Sequence, residues 1–128
     1  MTCHLPDSEK KEHDEIITSV ESILTKQGHL VRTNPSTFKK NSVRRGTELF
    51  YPDLYVYEKK SSNDKDVVTR LYEVETEQTV NDEEANDQWK NFAEGTSDFY
   101  LVVPKVSVDK AKSLVKKYGI IVKDYYKY

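Results

Sequence analysis

The sequence predicts an α/β sandwich in which a central mixed sheet is flanked by helices. Two observations carry this reading. Apolar stripes of helical period alternate along the chain with shorter runs of strand period, and turn formers punctuate the changes between them. The length of 128 residues suits one domain with one core.

Residues 1–13 are polar and are expected to form a flexible N-terminal tail, leaving 14–128 as a single folded domain. From Asp14, the residues Ile16, Ile17, Val20, Ile23 and Leu24 fall on one side at helical spacing, with acids first, Lys26 late and Gly28 as the stop. His29 to Thr33 reads as a short strand. Residues 34–48 hold turn formers and the cations Lys39, Lys40, Arg44 and Arg45, so a long functional loop is expected there. Tyr51, Asp53, Tyr55 and Tyr57 then alternate with Pro52, Leu54 and Val56 at strand period. A polar turn joins this strand to the alternating run VVTRLYEVET, which predicts a hairpin.

Residues 81–94 predict a helix with Ala85, Trp89, Phe92 and Ala93 on one face. The apolar run FYLVVP at 99–104 predicts a buried strand. Ser107 opens a further helix that Gly119 ends, and Ile120 to Val122 is expected as a last short strand.

Composition limits the function. One cysteine excludes an internal disulfide framework and any zinc site that needs several thiolates, so a reducing cytoplasmic setting is expected. No apolar run is long enough to span a bilayer, and the first residues lack the order of a signal peptide. The 36% of hydrophobic residues include nine Tyr, which supply buried area enough to favour a folded domain over disorder. His4, His13 and His29 are scattered, two of them in or near the polar tail, and support neither a zinc site nor a catalytic histidine. The four glycines are isolated, so no phosphate loop is present.

Three acids stand inside strands, where acids are depleted. Asp53 follows Pro52, and Glu73 and Glu75 lie two apart, on one face and about 7 Å from each other. With the two strands paired, the three carboxylates converge, which is unfavourable unless a proton or a cation lies among them. Hard divalent ions such as Mg²⁺ or Mn²⁺ take such oxygen ligands and support phosphodiester cleavage. The competing reading is a solvated sheet face.

Pro52-Asp53 followed by Glu73-Val74-Glu75, in the order helix, strand, hairpin, helix, strand, resembles the PD-(D/E)XK nuclease superfamily. The resemblance implies the restriction-endonuclease-like αβββαβ fold over residues 14–122 and Mg²⁺ or Mn²⁺ bound by Asp53 and Glu73. Glu75 stands where the family usually has Lys, and it is expected as a third ligand or base. Lys90, two residues after Gln88, is the topological candidate for the missing cation. Gln88 and Phe92 hold the spacing of a Gln and Tyr found in some members, although helical periodicity places Phe92 in the core with Trp89. A Glu on the first helix often joins the family's metal shell; Glu15 and Glu21 are candidates here, and Glu21 is preferred for its place beside the apolar stripe.

Charge is segregated in the way such a site requires. Seven acids and no base lie between Leu71 and Trp89, whereas seven lysines follow from Lys105 and four cations fill the 39–45 segment. The formal net charge of −2, which argues against a uniformly basic DNA-binding surface, is thus a cancellation of unlike segments. The expected function is a Mg²⁺-dependent endo- or exodeoxyribonuclease acting on DNA, with Lys39, Lys40, Arg44 and Arg45 as nucleic-acid contacts. A nuclease-like module that binds nucleic acid or protein without cutting is the alternative, and an interaction domain with a coincidental acid pattern is a third. A homodimer through the strand Tyr51 to Tyr57 or through the tail DYYKY is also expected.

Overall fold

The computed structural model describes residues 6–60 and 65–128. Helix α1 (Asp7–Lys26) leads into β1 (Leu30–Thr33), the short strands β2 (Val43–Arg45) and β3 (Glu48–Phe50), and the long strands β4 (Leu54–Lys60) and β5 (Lys65–Val74). A composite helix follows, made of α2 (Asp82–Glu84), a π turn (Ala85–Trp89) and α3 (Lys90–Ala93). Strand β6 (Asp98–Val103), a 3₁₀ turn (Lys105–Ser107), α4 (Val108–Tyr118) and β7 (Asp124–Lys127) complete the chain.

The architecture is α/β. Five strands form one mixed sheet in the order β1-β4-β5-β6-β7, and β2 and β3 form a separate antiparallel pair. β1 and β5 flank β4 antiparallel, as a hairpin requires. β6 and β7 join parallel after the helical crossovers. Alternation along the central strands feeds two apolar layers. Tyr55, Leu71, Phe99, Leu101 and Val103 pack with Trp89, Phe92, Ala111 and Leu114, and Leu54, Val56, Tyr72, Val74 and Val102 pack with Ile17, Val20 and Leu24 of α1.

Three sequence expectations are corrected. Helix α1 begins at Asp7, seven residues before the expected start at Asp14. Pro6 stands immediately before the helix, with Asp7 and Glu9 in its first turn, and His13, Ile17, Val20 and Leu24 form its buried stripe. The 34–48 segment is no continuous loop, because Gly46, at φ 63°, turns Val43–Arg45 back onto Glu48–Phe50. Phe50 then meets Phe92 edge to face at 5.8 Å.

The last strand lies later than expected. Gly119 ends α4 in the left-handed conformation, and Ile120 drops into the core from a loop. Ladder pairing begins only where Asp124 meets Tyr100. The DYYKY tail is therefore part of the sheet, with Tyr126 edge-on to Tyr72 at 5.7 Å. Strand β4 is internal to the sheet, whereas β7 is an edge strand paired only with β6.

Asn81 caps the composite helix, its side chain accepting the Glu84 N–H at 2.9 Å. Asn81→Ala is expected to lower stability by about 1 kcal/mol in urea denaturation, and Asn81→Asp to restore most of it; no loss in Asn81→Ala would show that the cap contributes nothing.

Candidate metal centre

The register of β4 and β5 assembles the site. Leu54 pairs with Tyr72, so Asp53, one residue before β4, stands opposite Glu73. The backbone locks the two acids crosswise: the Asp53 N–H donates to Glu73 Oε2 at 2.9 Å, and the Val74 N–H donates to Asp53 Oδ2 at 2.8 Å. Glu75 lies just beyond β5, its N–H donating to the Val102 carbonyl at 2.8 Å. One carboxylate oxygen from each of Asp53, Glu73 and Glu75 lies within 4.8 Å of the others. All three residues are buried, at 6%, 8% and 3% exposure. The solvated-face reading of these acids is thereby excluded.

Such a cluster is costly when charged. At 4.8 Å, two carboxylates repel by about 3–4 kcal/mol at an effective dielectric near 20. Burial, followed by the charges of Asp53 and Glu75, pushes the Glu73 carboxyl well above the usual carboxylate range; the Asp53 N–H and the charge of Lys39 oppose the shift. Burial, followed by Glu84 and Asp53, pushes Glu75 up in the same way, against the Thr79 hydroxyl and the Trp89 indole. Trp89 is fully buried, and its Nε1–H falls short of a full hydrogen bond with any partner. A hard divalent cation fits this donor set of three oxygens, because its charge removes the repulsion that raises both glutamates.

Helix α1 supplies a residue that sequence reasoning set aside. His13 Nε2 lies 3.2 Å from Asp53 Oδ2, and its Nδ1 lies 3.1 Å from Asp14 Oδ1 and 3.0 Å from Ser36 Oγ. Burial alone would lower the His13 pKa, but the hydrogen bond and charge of Asp53 outweigh it and raise it to about 9. Asp14 accepts the Ser36 N–H at 2.8 Å and is held below the usual carboxylate range despite its burial cost. Period-based reading from Ile17 backward, at 17 and then 13, places His13 on the buried stripe; the polar composition of residues 7–13 concealed it.

The remaining candidates separate. Glu21 is half-buried two helical turns, about 12 Å, from His13 and is outside the carboxylate cluster. Glu15 is exposed. Lys90 is exposed on α3, whereas Gln88, in the π turn, is half-buried. Phe92 is core, stacked on Phe99. Glu84, rather than Glu21, is the further acid that bears on the cluster, through its charge on Glu75. The π turn begins directly after it, and Trp89 lies in that turn.

The basic segment divides as well. Arg45 is used internally: it donates to the carbonyls of Asn91 and Phe92 and covers the Phe50 ring at 4.9 Å. Arg44 and Lys40 are exposed, and exposed Lys39 acts on Glu73 through its charge. Of the C-terminal lysines, Lys117 pairs with Asp82 and Lys112 lies over the Tyr125 ring.

The pH dependence of the metal-free protein follows from these shifts. Raised Glu73 and Glu75 contribute stability below about pH 4.5, the unfolded value, and that contribution is lost as pH rises through their folded values. His13 contributes fully below its unfolded value of about 6.5 and loses its contribution as pH rises through about 9. Both effects weaken the metal-free fold with rising pH. Thermal melts with Mn²⁺ are expected to show a rise in Tm that is larger at pH 7.5 than at pH 4.5 and is absent in Glu73→Gln; a Tm indifferent to Mn²⁺ at both pH values would dismiss the metal centre.

Among the described residues, no helix is long and apolar enough to cross a membrane. No family model matches this chain, and neither a curated protein nor a solved structure is similar enough to it to count as a match.

Proposed function

We propose that this protein is a Mg²⁺- or Mn²⁺-dependent DNA nuclease with a restriction-endonuclease-like core. The observation that carries the reading is the convergence of Asp53, Glu73 and Glu75 to within 4.8 Å in a buried site. A helix, three strands of the main sheet of which two form the long hairpin, a crossover helix and a parallel strand follow in an order that agrees with the PD-(D/E)XK resemblance, with the β2–β3 pair inserted after the first strand.

Asp53 and Glu73 would hold the ion from facing positions, and the crossed backbone hydrogen bonds keep both carboxylates in place. When bound, the ion supplies Lewis acidity and lowers the pKa of a water molecule. Glu75, whose proton affinity burial and the neighbouring acids raise, would accept a proton from the attacking water once a bound cation offsets that shift. The water oxygen forms the new bond to phosphorus, the bond to the leaving sugar oxygen breaks, and that oxygen takes a proton from solvent. Lys39 stands in for the lysine that the motif strand lacks, as a positive charge within electrostatic range of Glu73.

A second reading, a nuclease-like module that binds nucleic acid or protein without cutting, is favoured by one observation: Glu75 occupies the usual lysine position. Incubation with single-stranded and duplex DNA in Mn²⁺ separates the two. Cleavage is expected, with a loss of at least about a thousandfold in Asp53→Asn while the circular dichroism spectrum is retained. Cleavage at the original rate by Asp53→Asn would assign the activity elsewhere, and DNA retention without cutting in any divalent metal would select the binding module.

A further inference from the structure

The segment between β1 and β2 is tied to the metal centre by one buried side chain. Asn34 is fully buried and uses its whole hydrogen-bonding capacity. Its Nδ2 donates to the carbonyls of Asn41 and Pro52, both at 2.7 Å, and its Oδ1 accepts the N–H groups of Lys40 at 3.1 Å and Asn41 at 2.7 Å. Its own N–H donates to the Asp53 carbonyl at 2.9 Å. Residues 35–40 therefore close as a loop whose base is pinned to the two residues that open the site.

What this loop presents is unusual for a solvated turn. Phe38 is 63% exposed at its tip, with Lys39 and Lys40 beside it and the Lys40 ammonium 5.6 Å from the Phe38 ring. Tyr51 is 38% exposed and directly precedes Pro52, the residue that Asn34 grips. Two exposed rings and two cations thus lie on, or directly beside, a loop whose base is hydrogen-bonded to Pro52 and to Asp53 of the carboxylate cluster. Phosphates seek the cations, and exposed rings offer faces on which unpaired bases stack; a duplex keeps its base faces in its own stack.

We propose that the loop closed by Asn34 is a platform for unpaired nucleotides, on which Phe38 and Tyr51 stack bases while Lys39 holds the phosphate beside Asp53. The site then takes single strands, flaps or gaps in preference to uniform duplex. This rests on the nuclease reading above for its purpose, but it is measured by binding alone.

Fluorescence anisotropy of the full chain in EDTA, with single-stranded DNA, single-stranded RNA and duplex DNA of one sequence, tests it. Either single strand is expected to bind at least about tenfold more tightly than the duplex, and the DNA and RNA arms identify which polymer supplies the unpaired bases. Phe38→Ala is expected to weaken single-strand binding about tenfold, to leave the duplex unaffected, and to be rescued by Phe38→Tyr. Lys39→Ala is expected to lower the slope of log affinity against log salt by about 0.7. Asn34→Ala should match the Phe38 loss if it folds; the surface variants decide the matter if it does not. Equal affinity for single strand and duplex, or single-strand binding untouched by Phe38→Ala, would overturn the platform even if Mn²⁺-dependent cleavage is found. Conversely, ring-dependent binding without cleavage would uphold the platform and remove the nuclease reading.

Discussion

Three carboxylates inside one small domain are the constraint around which the other polar choices of this molecule are arranged. Asp53, Glu73 and Glu75 are buried together, and neither burial nor mutual repulsion favours their charges. The fold meets this with groups that favour negative charge: the N–H groups of Asp53 and Val74, the His13 imidazole, the Thr79 hydroxyl and the Lys39 ammonium. Glu84 adds charge of the same sign. A purely structural core does not gather acids in this way, since apolar residues of similar volume pack at lower cost. The surplus negative charge is the property that suits a divalent cation.

The same constraint explains how distant segments are tied together. The N-terminal half of α1 enters the site through His13, and Asp14 and Ser36 hold the imidazole from behind. Ser36 in turn belongs to the loop that Asn34 pins to Pro52 and Asp53. Helix, loop and strand opening therefore form one hydrogen-bonded unit, and rigidity in that unit positions the carboxylates. On the other layer, the composite helix brings Glu84 and Trp89 toward Glu75, while on the α1 layer Tyr128 donates to the Glu75 carbonyl at 2.6 Å.

Much of this was legible beforehand, and the misses share a cause. The stripe through Ile17, Val20 and Leu24, the strand alternation around Leu54 and Leu71 and the apolar run at 99–103 each follow from local period, and each is where it was expected. Asp53, Glu73 and Glu75 were conspicuous as acids in strands, and they do converge. His13 was overlooked because the residues from Asp7 to Glu15 around it are all polar, and a single buried residue per turn leaves little periodic signal. The β2–β3 pair and the late β7 were overlooked because short strands acquire their identity from a partner, here Phe50 on Phe92 and Asp124 beside Tyr100.

By itself the sequence determined the α/β alternation, the two long central strands and the identity of the three acids, because period and residue chemistry are local properties. Only the tertiary structure decided that Asp53 faces Glu73, that His13 rather than Glu21 reaches the cluster from α1, that Arg45 caps a helix while Lys39 stays exposed, and that the tyrosine-rich tail is a strand. Each of these depends on which segments lie side by side. Strand register, helix rotation and loop closure set that arrangement through contacts between residues far apart in the chain, to which local periodicity is blind.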